Sequence, residues 1–131
     1  MAFVLGYAAA NDVTARDQQR ADVQFTRSKS YDSFCPLGPW IETDLDPHDF
    51  AEGRKVQTYL NGDLKQDGST QDLIFDVPTL VSYISHVMTL LPGDVILTGT
   101  PAGVSPIVDG DTVSVSVGGL GVLANPVAAL D

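Results

Sequence analysis

Val56-Gln57-Thr58-Tyr59-Leu60-Asn61-Gly62-Asp63-Leu64-Lys65-Gln66-Asp67-Gly68 is the stretch that decides the fold. Val56, Thr58 and Leu60 alternate with Gln57 and Tyr59, which is the two-residue period of a strand with one buried face. Asn61-Gly62 follows, and Leu64 then stands among polar neighbours. Asn-Gly between two such runs predicts a β-hairpin, because both central residues of its turn need positive φ. Asp67-Gly68 is expected to mark the next turn.

Downstream, Val77, Leu80, Val81, Ile84, Val87 and Met88 recur at helical spacing and predict one amphipathic helix at about 77–90 with a buried stripe. Asp76 stands where an N-cap is needed, Pro78 is tolerated in the first turn, and Pro92-Gly93-Asp94 stops the helix. Val95, Ile96 and Leu97 read as a short buried strand. After a Gly- and Pro-rich loop at 98–106, Val113, Val115 and Val117 alternate with Thr112, Ser114 and Ser116 in a half-buried strand. Residues 120–129 give a final strand or two, with Pro126 at an edge or end.

Upstream, residues 1–10 read as a buried strand opening at Asn11-Asp12, and 14–21 as one or two helical turns. Residues 22–39 are expected to be mostly loop, since Pro36 and Pro39 exclude a long helix. Trp40-Ile41 suggests a short strand, and the acidic stretch 44–53 a surface connection. Most connections are too short for βαβ crossovers. The expected class is α+β, mostly β: a mixed β-roll or barrel-like sheet with one main helix, in a single domain over 1–131.

Composition narrows the function. The 131 residues are 44% apolar, which predicts a packed globule. Seven Lys and Arg stand against seventeen Asp and Glu, a net charge of −10, so nucleic acid and anionic membranes are poor partners. No apolar run is long enough for a membrane span. The apolar start lacks the basic flank of a signal peptide. One cysteine, Cys35, forms no internal disulfide and fits a cytoplasmic location.

Three segments carry candidate chemistry. Asn11-Asp12-Val13-Thr14-Ala15-Arg16-Asp17-Gln18-Gln19 delivers carboxylates, a guanidinium and amides as a strand leaves the core. Carboxylate oxygen suits a hard cation, and Arg16 and Gln19, three apart, share a helix face fit for a substrate carboxylate or carbonyl. A helix N-cap by Asp12 or Thr14 with surface ion pairs accounts for the same residues. In Thr26-Arg27-Ser28-Lys29-Ser30-Tyr31-Asp32, Lys29 is one of only three lysines; it is either a stabiliser of an enolate or oxyanion or an ordinary solvated lysine. Leu97-Thr98-Gly99-Thr100-Pro101-Ala102-Gly103-Val104 lets backbone N–H groups and a hydroxyl approach an anion, or is a tight turn. It lacks the Lys-Ser/Thr ending of a P-loop. His48 and His86 have no partner at metal-ligand spacing. Cys35 lacks an adjacent base.

Four blocks, GYAAANDVTARDQQ, TRSKSYDSFCPLGPW, the run from YLNGDLKQDGSTQDLIF to VSYISHVMTLLPGDVILTGTPAGV, and GGLGVLANPV, together resemble the C-terminal catalytic part of the fumarylacetoacetate hydrolase family. The resemblance implies a divalent-metal enzyme acting on small 2-oxo acids or 1,3-dicarbonyl compounds through a metal-stabilised enolate, by hydrolysis, isomerisation or decarboxylation. It implies Asp12 as a ligand of Mg²⁺ or Mn²⁺, Arg16 and Gln19 in the substrate site, Lys29 in reach of the oxo group, and Thr100 on a substrate carboxylate. These five are expected to converge on one concave site.

The family's Glu-x-Glu metal ligands and its acid–base His and Glu have no counterpart here. Glu42 and Glu52 lie in the wrong region. The expectation is therefore a member shortened at its N-terminal side, with an inactive remnant serving as a subunit or interaction domain as the alternative. The resemblance also implies a homodimer or larger assembly, with Phe3, Val4 and Leu5 as exposed apolar strand surface.

Overall fold

The computed structural model describes residues 3–46 and 50–129. The order is β1 (Tyr7–Ala10), α1 (Arg16–Ala21), α2 (Thr26–Lys29), β2 (Leu37–Glu42), β3 (Lys55–Leu60), β4 (Asp63–Ser69), a 3₁₀ turn (Thr70–Asp72), α3 (Val77–Val87), β5 (Thr112–Val117) and β6 (Val122–Pro126). Strand exceeds helix, 27% against 21%, as the α+β, mostly β expectation requires. β1 and β2 form an antiparallel pair, and β4-β3-β5-β6 form an antiparallel sheet. Neither sheet closes on itself.

The Asn61-Gly62 hairpin forms as its residues dictate, with φ of 52° at Asn61 and 89° at Gly62. Tyr59 pairs with Leu64 and Thr58 with Gln66, so Lys65 is an extra residue and β4 carries a bulge there. β5 lies on the other side of β3, with Thr58 opposite Val115. Its alternation buries Val113, Val115 and Val117. Ala9, Val115, Val117, Leu120 and Leu123 make the core, and Tyr7, Leu45, Phe50 and Val56 pack against it. Tyr7 stacks on Phe50 with ring centroids 4.3 Å apart. Burial, and secondarily the charge of Asp46, pushes the Tyr7 hydroxyl up from its ordinary pKa.

α3 begins as expected: the Asp76 carboxylate accepts from Thr79 N–H at 2.9 Å, and Pro78 sits in the first turn. It ends at Val87, with Met88 as its C-cap, before the Pro92-Gly93 turn. The expected buried stripe is a stripe only in pattern. Val77, Leu80, Val81 and Ile84 are half-buried, Val87 and Met88 are exposed and no α3 residue is fully buried, so among the described residues its apolar face is only partly covered.

Other differences have local causes. Asp67-Gly68 is no turn but lies inside β4, because a second segment packs on Gly68: a Cβ there would stand 2.7 Å from the Pro101 Cβ. Val95–Leu97 is not a strand. It pairs with no sheet edge, and Val95 and Leu97 are exposed. Among the described residues the strand expected over 1–10 is confined to Tyr7–Ala10, so Phe3, Val4 and Leu5 are not strand surface; Phe3 and Leu5 are exposed and Val4 is half-buried. Within 22–39, Thr26–Lys29 is helical. His48 lies outside the described residues.

Candidate active site

Backbone bonds assemble the first two candidate segments. Asn11 N–H donates to the Pro36 carbonyl at 3.1 Å as the chain leaves β1. Ala15 N–H then donates to the Ser28 carbonyl at 2.8 Å. Ser28 is fully buried, and its Oγ donates to the Phe25 carbonyl at 2.8 Å. With α2 fixed there, the next residue, Lys29, brings its ammonium onto the Asp12 carboxylate in a close ion pair.

The N-cap alternative for Asp12 and Thr14 is not what forms. Ala15 is the N-cap of α1 without a side-chain bond, and Thr14 Oγ1 donates to the Asp12 carbonyl at 3.0 Å.

Two further ties hold α1 and α2 together. Arg27 grips Asp22 with two bonds of 2.7 and 2.8 Å. The Arg27 hydrogen bond holds the Asp22 carboxyl below the usual carboxylate range, and the same bond raises Arg27. The Tyr31 hydroxyl donates to Gln18 Oε1.

Arg16 Nη1 donates to Gln19 Oε1 along one face of α1. A guanidinium has five N–H donors and an ammonium three, so Arg16 and Lys29 keep most of their donors for a ligand. The Lys29 and Asp12 side chains are 30% and 38% exposed, so the pair adds little stability; its consequence is to fix where the positive charge stands. An open concavity of about 390 Å³ lies on one side of Lys29, lined also by Val23, Gln24, Phe25 and Thr26.

Thr100 is placed by a different residue. Gln66, on β4, is 8% exposed, and its Nε2 donates to Thr100 Oγ1 at 2.7 Å and to the Pro101 carbonyl at 2.6 Å. Among the described residues no hydrogen bond or ion pair links Thr100 to Asp12, Arg16, Gln19 or Lys29. The structure thus makes two contacts among the five, Asp12 with Lys29 and Arg16 with Gln19, and ties Thr100 to the hairpin.

Gln66 is not legible as a site residue in the sequence, since a glutamine on a strand reads as solvent-facing. The available signal was Gly68, two residues on and on the same face, which marks close approach by another segment.

A metal fits these residues poorly. Among the described residues no group of three or more His, Cys, Asp or Glu side chains is placed to hold an ion. Asp12 offers one carboxylate, already engaged by Lys29. Among the described residues no helix is long and apolar enough to cross a membrane.

Residues 1–128 match the family described as fumarylacetoacetate (FAA) hydrolase C-terminal. The chain belongs to the fumarylacetoacetate hydrolase family. It is similar in structure to a 5-carboxymethyl-2-hydroxymuconate delta-isomerase from Mycobacterium smegmatis, with a TM-score of 0.91 and 57% identity over 97% of this chain and 49% of that one. A bifunctional isomerase/decarboxylase of 4-hydroxyphenylacetate degradation from Salmonella dublin is 44% identical over 97% of this chain and 30% of its own length. A maleylpyruvate hydrolase from Sphingobium sp. SYK-6, solved in complex with manganese(II) and pyruvate, has a TM-score of 0.82 and 40% identity over 95% of this chain and 44% of that one. Relatives of this family also include an oxaloacetate decarboxylase and an oxaloacetate tautomerase. The chain spans about half the length, or less, of these relatives.

Proposed function

We propose that this chain forms the 2-oxo-acid-binding part of a hydrolase, isomerase or decarboxylase acting on small 2-oxo acids or 1,3-dicarbonyl compounds. The observation that carries this reading is the Lys29 ammonium anchored on the Asp12 carboxylate, in the segment that joins β1 to α1. A 2-oxo acid presents a carboxylate and a carbonyl, and its enolate gathers negative charge on the former carbonyl oxygen. Lys29 stands at that oxygen in this reading and stabilises the charge as it develops. Arg16 and Gln19 hold the carboxylate, with Thr100 donating to it from the 98–106 loop. C–C cleavage and decarboxylation each release an enolate, and proton relocation passes through one, so stabilising that charge serves the several activities named among the relatives. The name of the Salmonella relative, from 4-hydroxyphenylacetate degradation, supports extending this reading to aromatic-compound breakdown.

Mg²⁺ or Mn²⁺ belongs to this reading, with Asp12 as its ligand. One carboxylate does not meet the near-octahedral demand of Mg²⁺, so ligands beyond Asp12 are required and no step is assigned to the ion. The single domain acts here as a partial family catalytic domain, in a homodimer or larger assembly in which the open face of α3 is covered. A cytoplasmic location accords with the free thiol of Cys35.

A second reading is an inactive subunit or interaction domain. It is favoured by the lack, among the described residues, of a group of metal-ligating side chains.

Deuterium exchange at C3 of pyruvate, followed by proton NMR in D₂O with Mg²⁺, separates the two, because exchange reports enolate formation whatever step follows. The enzyme reading expects exchange above the buffer rate that falls by about 10²-fold in Lys29→Met, the scale for loss of one charge-stabilising donor. Exchange at the buffer rate with the wild-type chain supports the subunit reading. Exchange unaffected by Lys29→Met overturns the role given to Lys29.

A further inference from the structure

The 98–106 loop is not held by a strand or helix of its own. It is held by Gln66, through the two bonds from Nε2 to Thr100 Oγ1 and to the Pro101 carbonyl. β4 is shaped for that grip on both sides of the bulge. A Cβ on Gly103 would stand 1.9 Å from the Lys65 carbonyl oxygen, and the φ of Gly103 is +104°. A Cβ on Gly68 would meet the Pro101 ring. Both glycines are needed for the loop to lie against β4.

The polarity of this contact follows from its members. The Pro101 carbonyl can only accept, so the end of the Gln66 amide that faces it must be the NH₂. That NH₂ has two hydrogens and two acceptors within reach, so its second hydrogen goes to Thr100 Oγ1. A hydroxyl oxygen that already accepts from a buried amide turns its own hydrogen away from that amide. Gln66 is buried whereas Thr100 is exposed, so the free hydrogen points outward.

We propose that Gln66 is a positioning residue that makes Thr100 an outward hydrogen-bond donor and thereby selects a ligand offering an acceptor oxygen, a carboxylate or carbonyl, at that point. This inference rests on the placement of Thr100 in the substrate site given above. It adds the residue that sets the direction of the Thr100 bond.

Gln66→Glu reverses the arrangement in nearly the same volume. An ionised glutamate only accepts and draws the Thr100 hydrogen inward. A protonated one has a single donor, which the Pro101 carbonyl takes, and its other oxygen still draws the Thr100 hydrogen inward. Gln66→Met removes the donor without adding charge, and serves if the glutamate variant does not fold.

The test is pyruvate binding by calorimetry on the wild-type chain, Thr100→Val, Thr100→Ser, each Gln66 variant, and Gln66 variants combined with Thr100→Val. Folding is checked by circular dichroism. Expected are an about tenfold weaker affinity for Thr100→Val and for each Gln66 variant, near wild-type affinity for Thr100→Ser, and double variants no weaker than Thr100→Val alone. In the nitrogen–proton correlation spectrum, both Gln66 side-chain amide protons should be hydrogen-bonded in the wild type, and one should be released in Thr100→Val.

Losses that add in the double variants mean that Gln66 acts through general packing, which overturns the inference. So does Thr100→Val weakening binding while folded Gln66 variants do not, and in that case the reading of Thr100 stands. If the wild type does not bind pyruvate, or Thr100→Val binds it unchanged, the substrate role of Thr100 falls and the inference falls with it. If no Gln66 variant folds, the amide spectrum decides: Gln66 protons unaltered in Thr100→Val overturn it.

Discussion

Asn61→Ala should destabilise the protein by about 2 kcal/mol, for reasons that separate cleanly. Asn61 has φ of 52°, a left-handed conformation that costs an L-residue with a Cβ roughly 1–2 kcal/mol, and asparagine tolerates it better than alanine. Its side chain also ties the hairpin tip to the start of β5. Asn61 Oδ1 accepts from Thr112 N–H at 2.8 Å, and Nδ2 donates to Asp111 Oδ1 at 2.8 Å. Losing the first of these costs about 1 kcal/mol. Asn61→Gly loses the same side-chain bonds without the backbone penalty, so it should lie about 1 kcal/mol above alanine. For 131 residues, 1 kcal/mol is roughly 3–4 °C, so Asn61→Ala should melt about 7 °C below wild type.

The pH dependence has a definite sign. The Asn61 bond, then the Val108 N–H bond, holds the Asp111 carboxyl below the usual carboxylate range. A lowered native pKa contributes stability that is present above the unfolded value and lost as pH falls through the native one. Wild type should therefore lose more stability than Asn61→Ala between about pH 5 and about pH 3, narrowing the gap. Urea unfolding of the three proteins at both pH values is the assay. Alanine as stable as glycine would refute the backbone argument, and a gap that widens in acid would refute the Asp111 argument.

Two further outcomes follow from the site and from α3. Calorimetry should find millimolar or weaker Mg²⁺ binding, estimated roughly from one carboxylate in place of several; micromolar binding that survives Asp12→Asn would show that Asp12 is not the ligand, and micromolar binding abolished by it would show that other ligands complete the site. Sedimentation should find a dimer or larger species, because Tyr83 and Val87 on α3, Met88 at its end, and Phe3 and Leu5 are exposed; a stable monomer at high concentration would count against that assembly.

The elements legible in the sequence are those fixed by local rules. Asn61-Gly62 and its alternating flanks specify a hairpin whatever surrounds it, although the pattern revealed only the φ requirement and not the tie to Asp111 and Thr112. Asp76, Pro78 and the apolar spacing specify α3 in the same way. Val95–Leu97 carries no period over three residues, and its conformation depends on whether a strand edge is within reach, which is a tertiary matter. The side-chain contacts are long-range as well. Lys29 meets Asp12 because Ala15 N–H bonds to the Ser28 carbonyl, and nothing in either segment records that bond. The resemblance named both residues without saying that they touch. Gln66 was hidden for a related reason: its burial is created by the loop that it holds, thirty-four residues away.

The central claim is that Asp12, Arg16, Gln19, Lys29 and Thr100 serve one 2-oxo acid. Titrating the nitrogen-labelled chain with pyruvate in the presence of Mg²⁺, and following every backbone amide, tests it most directly. Expected are shifts along 12–19, at Lys29 and at Thr100 that titrate with a single affinity, and their joint loss in Lys29→Met. Shifts confined to the open α3 face, or none at these positions, would contradict it.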